Sequence, residues 1–337
     1  MQPFSDAPAA QTITETLANL NILWILGIVC GLTVLRLALI YVPNQMARSV
    51  AEILESGMIA VALVFLIIRP FILQAFFIPS PSMEPTLLGK NGSGDRILVN
   101  KFAYRSGHPH RDDVVVFLAP PAATIGIPPD SEFIKRLIGL PGDRLEVVAG
   151  VVTVNGKPYN HDAIRQALAD AGEFGASAVG SSVDQADHHV RFVDGGVLAD
   201  KRLVPKERLA EILTGMRSSP ATVSPGYVIR NDERLADPTI AEDPDYDMKI
   251  FNGEPLKHAH GSYPSEFYLQ GQPLSQAEFQ QDWARPTEAL PKERLMMMGD
   301  NRNDSNDSTN WGPLEAHRVV GRAQFIFWPP SRMGVIR

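Results

Sequence analysis

No stretch of this sequence limits its own conformation as tightly as Phe76–Leu88, FFIPSPSMEPTLL, where three prolines fall in one short run. Proline fixes φ and confines the residue before it to extended conformations. Pro79, Pro81 and Pro85 therefore exclude a helix and hold Ser80, Ser82 and Met83 in a stiff loop. A stiff loop with a repeated serine, set directly after a long apolar segment, is a good mount for a nucleophile. It reads equally well as a proline-rich juxtamembrane linker, and the remaining sequence has to decide.

The apolar segments come first. Residues 22–42, ILWILGIVCGLTVLRLALIYV, contain a single charge, Arg36. Crossing the hydrocarbon takes about 20 apolar residues, and Arg36 sits near the end of the run, where it can snorkel. A second run, Met58–Ile68, continues past Arg69 and Pro70 into Phe71–Ile78. The reading is two transmembrane helices, at about 22–42 and 57–75, with buried helices of a soluble core as the alternative. Arg48 lies between the runs, which by the count of basic residues makes that loop cytoplasmic and puts everything after about residue 75 on the outer face. The net charge of −7 argues against nucleic acid. Cys30 is the only cysteine, so the chain has no internal disulfide and no thiolate metal cluster.

After the membrane runs the sequence is strand-like. Asp95–Tyr104, Asp113–Leu118, Phe133–Leu140, Arg144–Val148 and Val151–Val154 all have β character, and Asn155-Gly156 is a strong turn signal. From about residue 160 helical spacing appears in His161–Ala171 and Pro205–Met216, separated by a Gly/Ala/Ser-rich linker at 171–182. Residues 231–290 show few periodic signals, and strands return at Arg294–Met298 and Val319–Trp328. The expected fold is mainly β. An antiparallel β-sheet catalytic core (76–159 and 291–337) carries an inserted α+β subdomain (160–290), and residues 1–75 form a two-helix membrane anchor.

A serine nucleophile needs a base. No G-x-S-x-G elbow is present, and neither Ser80 nor Ser82 is followed by the lysine of an S-x-x-K pattern. The histidines lie mostly in loops. In Phe133–Ile138, alternation puts Phe133, Lys135 and Leu137 on one face and Ile134, Arg136 and Ile138 on the other. Each face holds one cation between apolar residues, so periodicity does not choose between them. Chemistry favours Lys135: arginine stays protonated, whereas burial depresses a lysine far enough to make it a base near neutrality. The plainer alternative is a strand-edge lysine in solvent. Gly299–Gly312, GDNRNDSNDSTNWG, has the Asp/Asn/Ser density of a Ca²⁺ loop but lacks the central glycine and terminal glutamate of an EF-hand. No metal is expected there. Such a loop suits a rigid support.

Four blocks, in this order, resemble the bacterial type I signal peptidases (leader peptidases). They are Ile78–Leu87 (IPSPSMEPTL), Gly94–Tyr104 (GDRILVNKFAY), Arg111–Phe117 with Phe133–Asp143 (RDDVVVF and FIKRLIGLPGD), and Gly299–Gly312. The resemblance spans roughly residues 57–156 and 291–337. It implies a membrane-anchored Ser–Lys endopeptidase that removes signal peptides after Ala-x-Ala-like sites. Ser82 would be the nucleophile and Lys135 the general base. Ser80 Oγ and the Ser82 N–H would form the oxyanion hole. Ser305 would orient the lysine amine, with Asp300, Arg302 and Asp307 bracing the site. Phe76, Ile78, Met83, Leu87, Phe133 and Ile134, close by in the same segments, would line a shallow apolar cleft.

Three positions depart from the family pattern. Pro81 stands where glycine is common and has no N–H to donate; Arg111-Asp112-Asp113 replaces RGD; and Thr309 stands where arginine is usual, removing a salt bridge to Asp307. The implied partners are preprotein signal peptides and the lipid bilayer, with no cofactor, metal or nucleic acid. The implied location is the bacterial cytoplasmic (inner) membrane, multi-pass, with the catalytic domain on the outer or periplasmic face. Phe71–Ile78, Phe325, Phe327 and Trp328 would dip into the interface. Two other readings stay open: a related peptidase dedicated to one precursor such as a pilin, and a membrane-tethered binding protein of the same fold without activity.

Overall fold

The computed structural model describes residues 22–42, 44–63, 73–90, 93–105, 107–174, 189–200, 202–216, 219–235, 242–260 and 266–337. One antiparallel sheet of eight strands carries the serine loop. It runs in the order Leu73–Phe77 (β1), Arg96–Asn100 (β2), Val319–Trp328, Val114–Leu118 (β3), Glu132–Gly139 (β4), Arg294–Met298 and Leu314–Glu315, with Gly334–Val335 beside Val319–Trp328. β3 is apolar throughout because both its faces are covered. Val114 and Val116 pack with Ile78, Met83, Leu87, Ile97 and Val99 on one side. Val115 and Phe117 pack with Leu137, Leu295, Met297 and Trp311 on the other. Fully burying one such side chain contributes about 1.5–3 kcal/mol, so a charge at any of these four positions would disrupt one cluster or the other.

The chain then turns away from this sheet. Leu145–Val148 (β5) lies in the middle of a seven-stranded sheet whose other members, among them Tyr227–Arg230, Tyr246–Phe251 and Glu254–Ala259, all come from residues 160–290. Val151–Val154 (β6) pairs with Ala221–Ser224 from the same region. Asn155 and Gly156 take the positive φ angles of 52° and 76° that their turn signal implies. Helices cover His161–Asp170 and Lys206–Thr214; Ile164, Leu168 and Leu209, three of the apolar positions that suggested them, are buried, whereas Met216 lies past the end of the second helix and is exposed. Most of the linker expected at 171–182 lies outside the described residues.

Residues 231–290 are richer in strands than their weak periodicity suggests. Tyr246–Phe251 and Glu254–Ala259 form a hairpin across Asn252-Gly253, whose φ angles of 50° and 78° match the two-residue turn. Gln276–Trp283 is a helix closed by a capping box between Ser275 and Glu278.

The N-terminal region needs two corrections. Helices run over Ile22–Ile40 and Gln45–Ala62, but Leu73–Phe77 pairs as a strand with Arg96–Asn100. The second helix therefore begins earlier than 57 and does not reach 75; residues 64–72 lie outside the described set. Its early start has a local cause, since the Asn44 side chain caps it by accepting from Met46 N–H. Arg36 does not point away along the first helix. It donates to Glu55 at 2.6 Å across the helix pair. Among the described residues no helix is long and apolar enough to cross a membrane. Val34 in the first helix is nonetheless 62% exposed, and Ile28, Leu35, Leu37 and Ile40 are exposed with it.

One ionic cluster joins residues 160–290 to the serine loop. Buried Glu242 accepts two hydrogen bonds from Arg165, each 2.9 Å, and one from Val190 N–H at 3.0 Å. His189 lies 3.8 Å from Glu242 through Nδ1 and 3.2 Å from Glu84 through Nε2. Asn303 Nδ2 donates to Glu242 and to the Asp243 carbonyl. Glu242 and Glu84 together push the His189 imidazole up to about 9 against its burial. Burial pushes the Glu242 carboxyl up, but His189, Arg165 and the Val190 N–H outweigh it and hold it at about 2.

A histidine whose folded pKa is raised stabilises fully below its unfolded value, near 6.5, and loses that contribution as pH rises through about 9. His189→Leu should therefore lower the melting temperature by about 2–4 °C at pH 6, the scale of roughly 1 kcal/mol in a chain of this size. The gap to wild type should close by about pH 10. A gap independent of pH would show that His189 stabilises through packing alone.

Candidate active site

The prolines bend the chain but do not exclude helical geometry as expected: Pro81 starts one turn of 3-10 helix, because its fixed φ suits a first helical position and it needs no N–H there. Pro81–Met83 forms a single tight turn, and Glu84 N–H closes it on the Pro81 carbonyl at 2.9 Å. Ser82 sits in that turn, 7% exposed. Two glycines let other segments approach it. At Gly89 a Cβ would overlap the Ser80 carbonyl, and at Gly299 it would overlap the Ser82 carbonyl and Ser305 Oγ. Only glycine fits so close to backbone. Asn301 N–H then donates to the Ser82 carbonyl at 3.2 Å and fixes the turn from the other side.

β4 supplies the cation. Val115 lies opposite Lys135 and Val114 opposite Arg136, so the two basic residues leave the strand on opposite faces. Lys135 reaches the serine: Nζ donates to Ser82 Oγ at 2.7 Å, and the residue is 4% exposed. Its ammonium also lies 5.7 Å from the Phe133 ring centroid. Burial pulls the Lys135 amine down to about 8, although Asp307, Asp300 and Asp304 favour its charged form. Ser80 Oγ is 3.3 Å from Ser82 Oγ, on an exposed residue.

Arg136 does different work. Its guanidinium grips Asp300 in a two-pronged pair, Nε to Oδ1 at 2.7 Å and Nη2 to Oδ2 at 2.6 Å. Thr86 Oγ1 donates to the same carboxylate at 2.5 Å. Neither Arg136 nor Thr86 emerged from the sequence as a site residue. The available clue was the second cation in the alternation of Phe133–Ile138.

The Gly299–Gly312 loop packs against this pair. Asp307 accepts from Gly299 N–H at 2.9 Å, from Thr309 N–H at 3.0 Å and from the Thr309 hydroxyl at 2.8 Å. The threonine that stands where arginine was expected thus supplies two donors to Asp307. Arg302 Nε donates to the Gly299 carbonyl at 2.9 Å. Ser305 differs from expectation, because its buried Oγ has no hydrogen-bond partner among the described residues. It is packed against Gly299 rather than hydrogen-bonded to the lysine.

The expected cleft residues divide by burial. Ile78, Met83 and Leu87 are 2%, 1% and 0% exposed and belong to the core under β3. They present almost no surface to a substrate, because the proline-bent loop folds its large side chains inward. Phe76, Ile134 and Phe133 are only partly buried and keep accessible surface beside the Ser82–Lys135 pair.

Comparison with known proteins adds an independent line. Residues 50–210 and 223–328 match the family described as "Signal peptidase, peptidase S26". The chain is 25% identical over 268 residues to "Signal peptidase I" of Leptolyngbya laminosa, covering 79% of this chain and 74% of that one. Against "Signal peptidase I" of Mycobacterium tuberculosis the identity is 24% over 333 residues, covering 88% and 78%. A shorter match, 43% identical over 118 residues, links it to "Signal peptidase I" of Aquifex aeolicus, with 32% of this chain and 41% of that one covered. With a family match over most of its length, a serine and a lysine in contact, and a mainly antiparallel β fold, this chain belongs to the signal peptidase family, peptidase S26, and is a serine endopeptidase of the signal peptidase I type.

Proposed function

We propose that this chain cleaves signal peptides from exported preproteins with Ser82 as nucleophile and Lys135 as general base. The observation that carries this reading is the 2.7 Å contact between Lys135 Nζ and Ser82 Oγ in a buried site. Deprotonated, the amine accepts the hydroxyl proton as Oγ attacks the scissile carbonyl. The Ser82 N–H and the Ser80 hydroxyl stabilise the oxyanion; losing one such donor typically costs about 10²–10³ in rate. Pro81 has no N–H and takes no part. Lys135 then gives its proton to the leaving amine and activates the water that releases the acyl group.

Membrane attachment belongs to the same reading. The apolar helix Ile22–Ile40, its exposed aliphatic side chains and its partner helix would anchor the catalytic sheet at the cytoplasmic membrane, facing outward. Exposed Phe77 and Trp328 lie at one end of the sheet, where Arg96 pairs with both, and would dip into the interface. The substrate is then an extended segment before the cut, selected for small side chains by a shallow wall that includes Phe76, Phe133 and Ile134.

Removing either partner should cost nearly as much as removing both, since they act as a unit. Ser82→Ala and Lys135→Met are each expected to lower preprotein cleavage by at least about 10⁴-fold without lowering the melting temperature. Near-normal turnover by Lys135→Met would falsify the assignment of the base.

The pH dependence has a definite sign. The reactive form carries a neutral Lys135, so kcat/KM should rise as pH increases through about 8. A rate already level from pH 5 upward would point to another base.

Specificity gives a third test. Ile134→Ala is expected to reduce discrimination against residues larger than alanine by about 10-fold or more. The rate at the normal site should fall much less. Mass-spectrometric mapping of cleavage sites in one preprotein reads both quantities, and an unchanged site pattern would remove Ile134 from the pocket wall.

A further inference from the structure

Far from Ser82 in the sequence, the hairpin Tyr246–Phe251 and Glu254–Ala259 brings three metal-ligating side chains together. Asp247 lies directly opposite His258 in the register. His260 follows two residues after His258, on the same face by the period of a strand. A backbone hydrogen bond from His260 N–H to the Asp245 carbonyl, 2.9 Å, keeps that end of the hairpin in register. One donor atom from each of Asp247, His258 and His260 falls within 4.8 Å of the other two.

The surroundings favour a ligand over a simple ion pair. Asp247 is held by Ala149 N–H, which donates to Oδ1 at 2.9 Å. Oδ2 is left facing the histidines, and His260 Nε2 lies 2.6 Å from it. An outer partner of this kind is what orients a carboxylate ligand. His258 packs against a pair of stacked aromatic rings, parallel to Phe267 at 4.7 Å and tilted to Phe279 at 5.7 Å. Its ring nitrogens take no hydrogen bond among the described residues, although His260 lies 4.1 Å away, ring to ring. An imidazole locked by packing with both nitrogens unclaimed, next to an oriented carboxylate and a second imidazole, has the form of an incomplete coordination shell. Asp247 and His260 side chains are 30% and 35% exposed, so an ion has a path in from solvent.

We propose that Asp247, His258 and His260 bind a divalent transition-metal ion of the zinc class, with water completing the shell. Two imidazoles and one carboxylate are a known zinc donor set. Ligands about 2.0–2.1 Å from a tetrahedral ion stand roughly 3.3 Å apart. Closing the triangle therefore takes side-chain swings of no more than about 1.5 Å. The ion would staple the hairpin that pairs directly with β5. The site is independent of the Ser82 reading, since none of its three residues touches that centre.

The test uses the full chain in detergent, stripped of metal and titrated with Zn²⁺ by calorimetry and with Co²⁺ by absorption. One equivalent should bind, Co²⁺ should give the intense visible bands of a four- or five-coordinate site, and Zn²⁺ should raise the melting temperature. Asp247→Asn keeps the shape of the carboxylate, and His258→Phe keeps the stack on Phe267 and Phe279. Each should weaken Zn²⁺ binding by at least about 100-fold and abolish the thermal shift. His260→Gln serves as a third variant if either of these melts early. Absence of Zn²⁺ binding by the wild-type chain, or binding that survives all folded variants, overturns the proposal.

Discussion

The ion pair between Arg136 and Asp300 ties together the segments that meet around Ser82. Both partners are almost fully buried, at 3% and 0% exposure. A pair buried this deeply is no more stabilising than well-packed apolar residues of the same volume, because desolvation offsets the attraction. Its value lies in geometry. Arg136 leaves β4 on the face opposite Lys135 and grips the first aspartate of the Gly299–Gly312 loop. Its remaining donors reach the Asp112 carbonyl, Thr86 of the serine loop and the Arg337 carbonyl. Four segments distant in sequence are thereby held in one register, and Lys135 is carried with them. Removing one partner would leave an uncompensated buried charge, at a cost of about 3–5 kcal/mol.

The electrostatics of Lys135 follow from that arrangement. Three aspartates lie near the amine, and each favours its charged form. Burial is the larger influence and prevails, and two of these carboxylates are held by other donors. Asp300 is held by Arg136 and Thr86, and Asp307 accepts from Gly299 and twice from Thr309. A carboxylate saturated by other donors pins a nearby ammonium less firmly than a free one. Thr309, in the place of an arginine, keeps this balance with uncharged donors.

Residues 160–290 are tied to both loops through Glu242. Its contact with His189 leads to Glu84, two residues past Ser82, and its contact with Asn303 leads to the Gly299–Gly312 loop. The Asn303 side chain also accepts from Asp245 N–H. This part of the chain is thus joined to the rest by two kinds of link: strand pairing with β5 and β6, and hydrogen bonds to the loops beside Ser82.

The sequence alone determined features whose physics is local. Prolines dictate the turn at Ser82, the Asn155-Gly156 pair closes its hairpin, and the spacing of Ile164, Leu168 and Leu209 makes two helices with one buried face. The apolar run of β3 carried its own message of burial on both sides. Other features depended on partners far along the chain. Alternation set one cation on each face of β4 and side-chain chemistry favoured Lys135 as the base, but only the folded chain brings Lys135 to the serine loop and Arg136 to Asp300. The strands of 231–290 have weak periodicity because their stability comes from neighbours in the sheet, although Asn252-Gly253 was a legible turn. Ile78, Met83 and Leu87 looked like cleft residues by proximity to Ser82, yet the bent loop turned them into core. His189, Glu84 and Glu242 carry no common signal in sequence. Charge pairs act through space, and only the folded chain brings these three together.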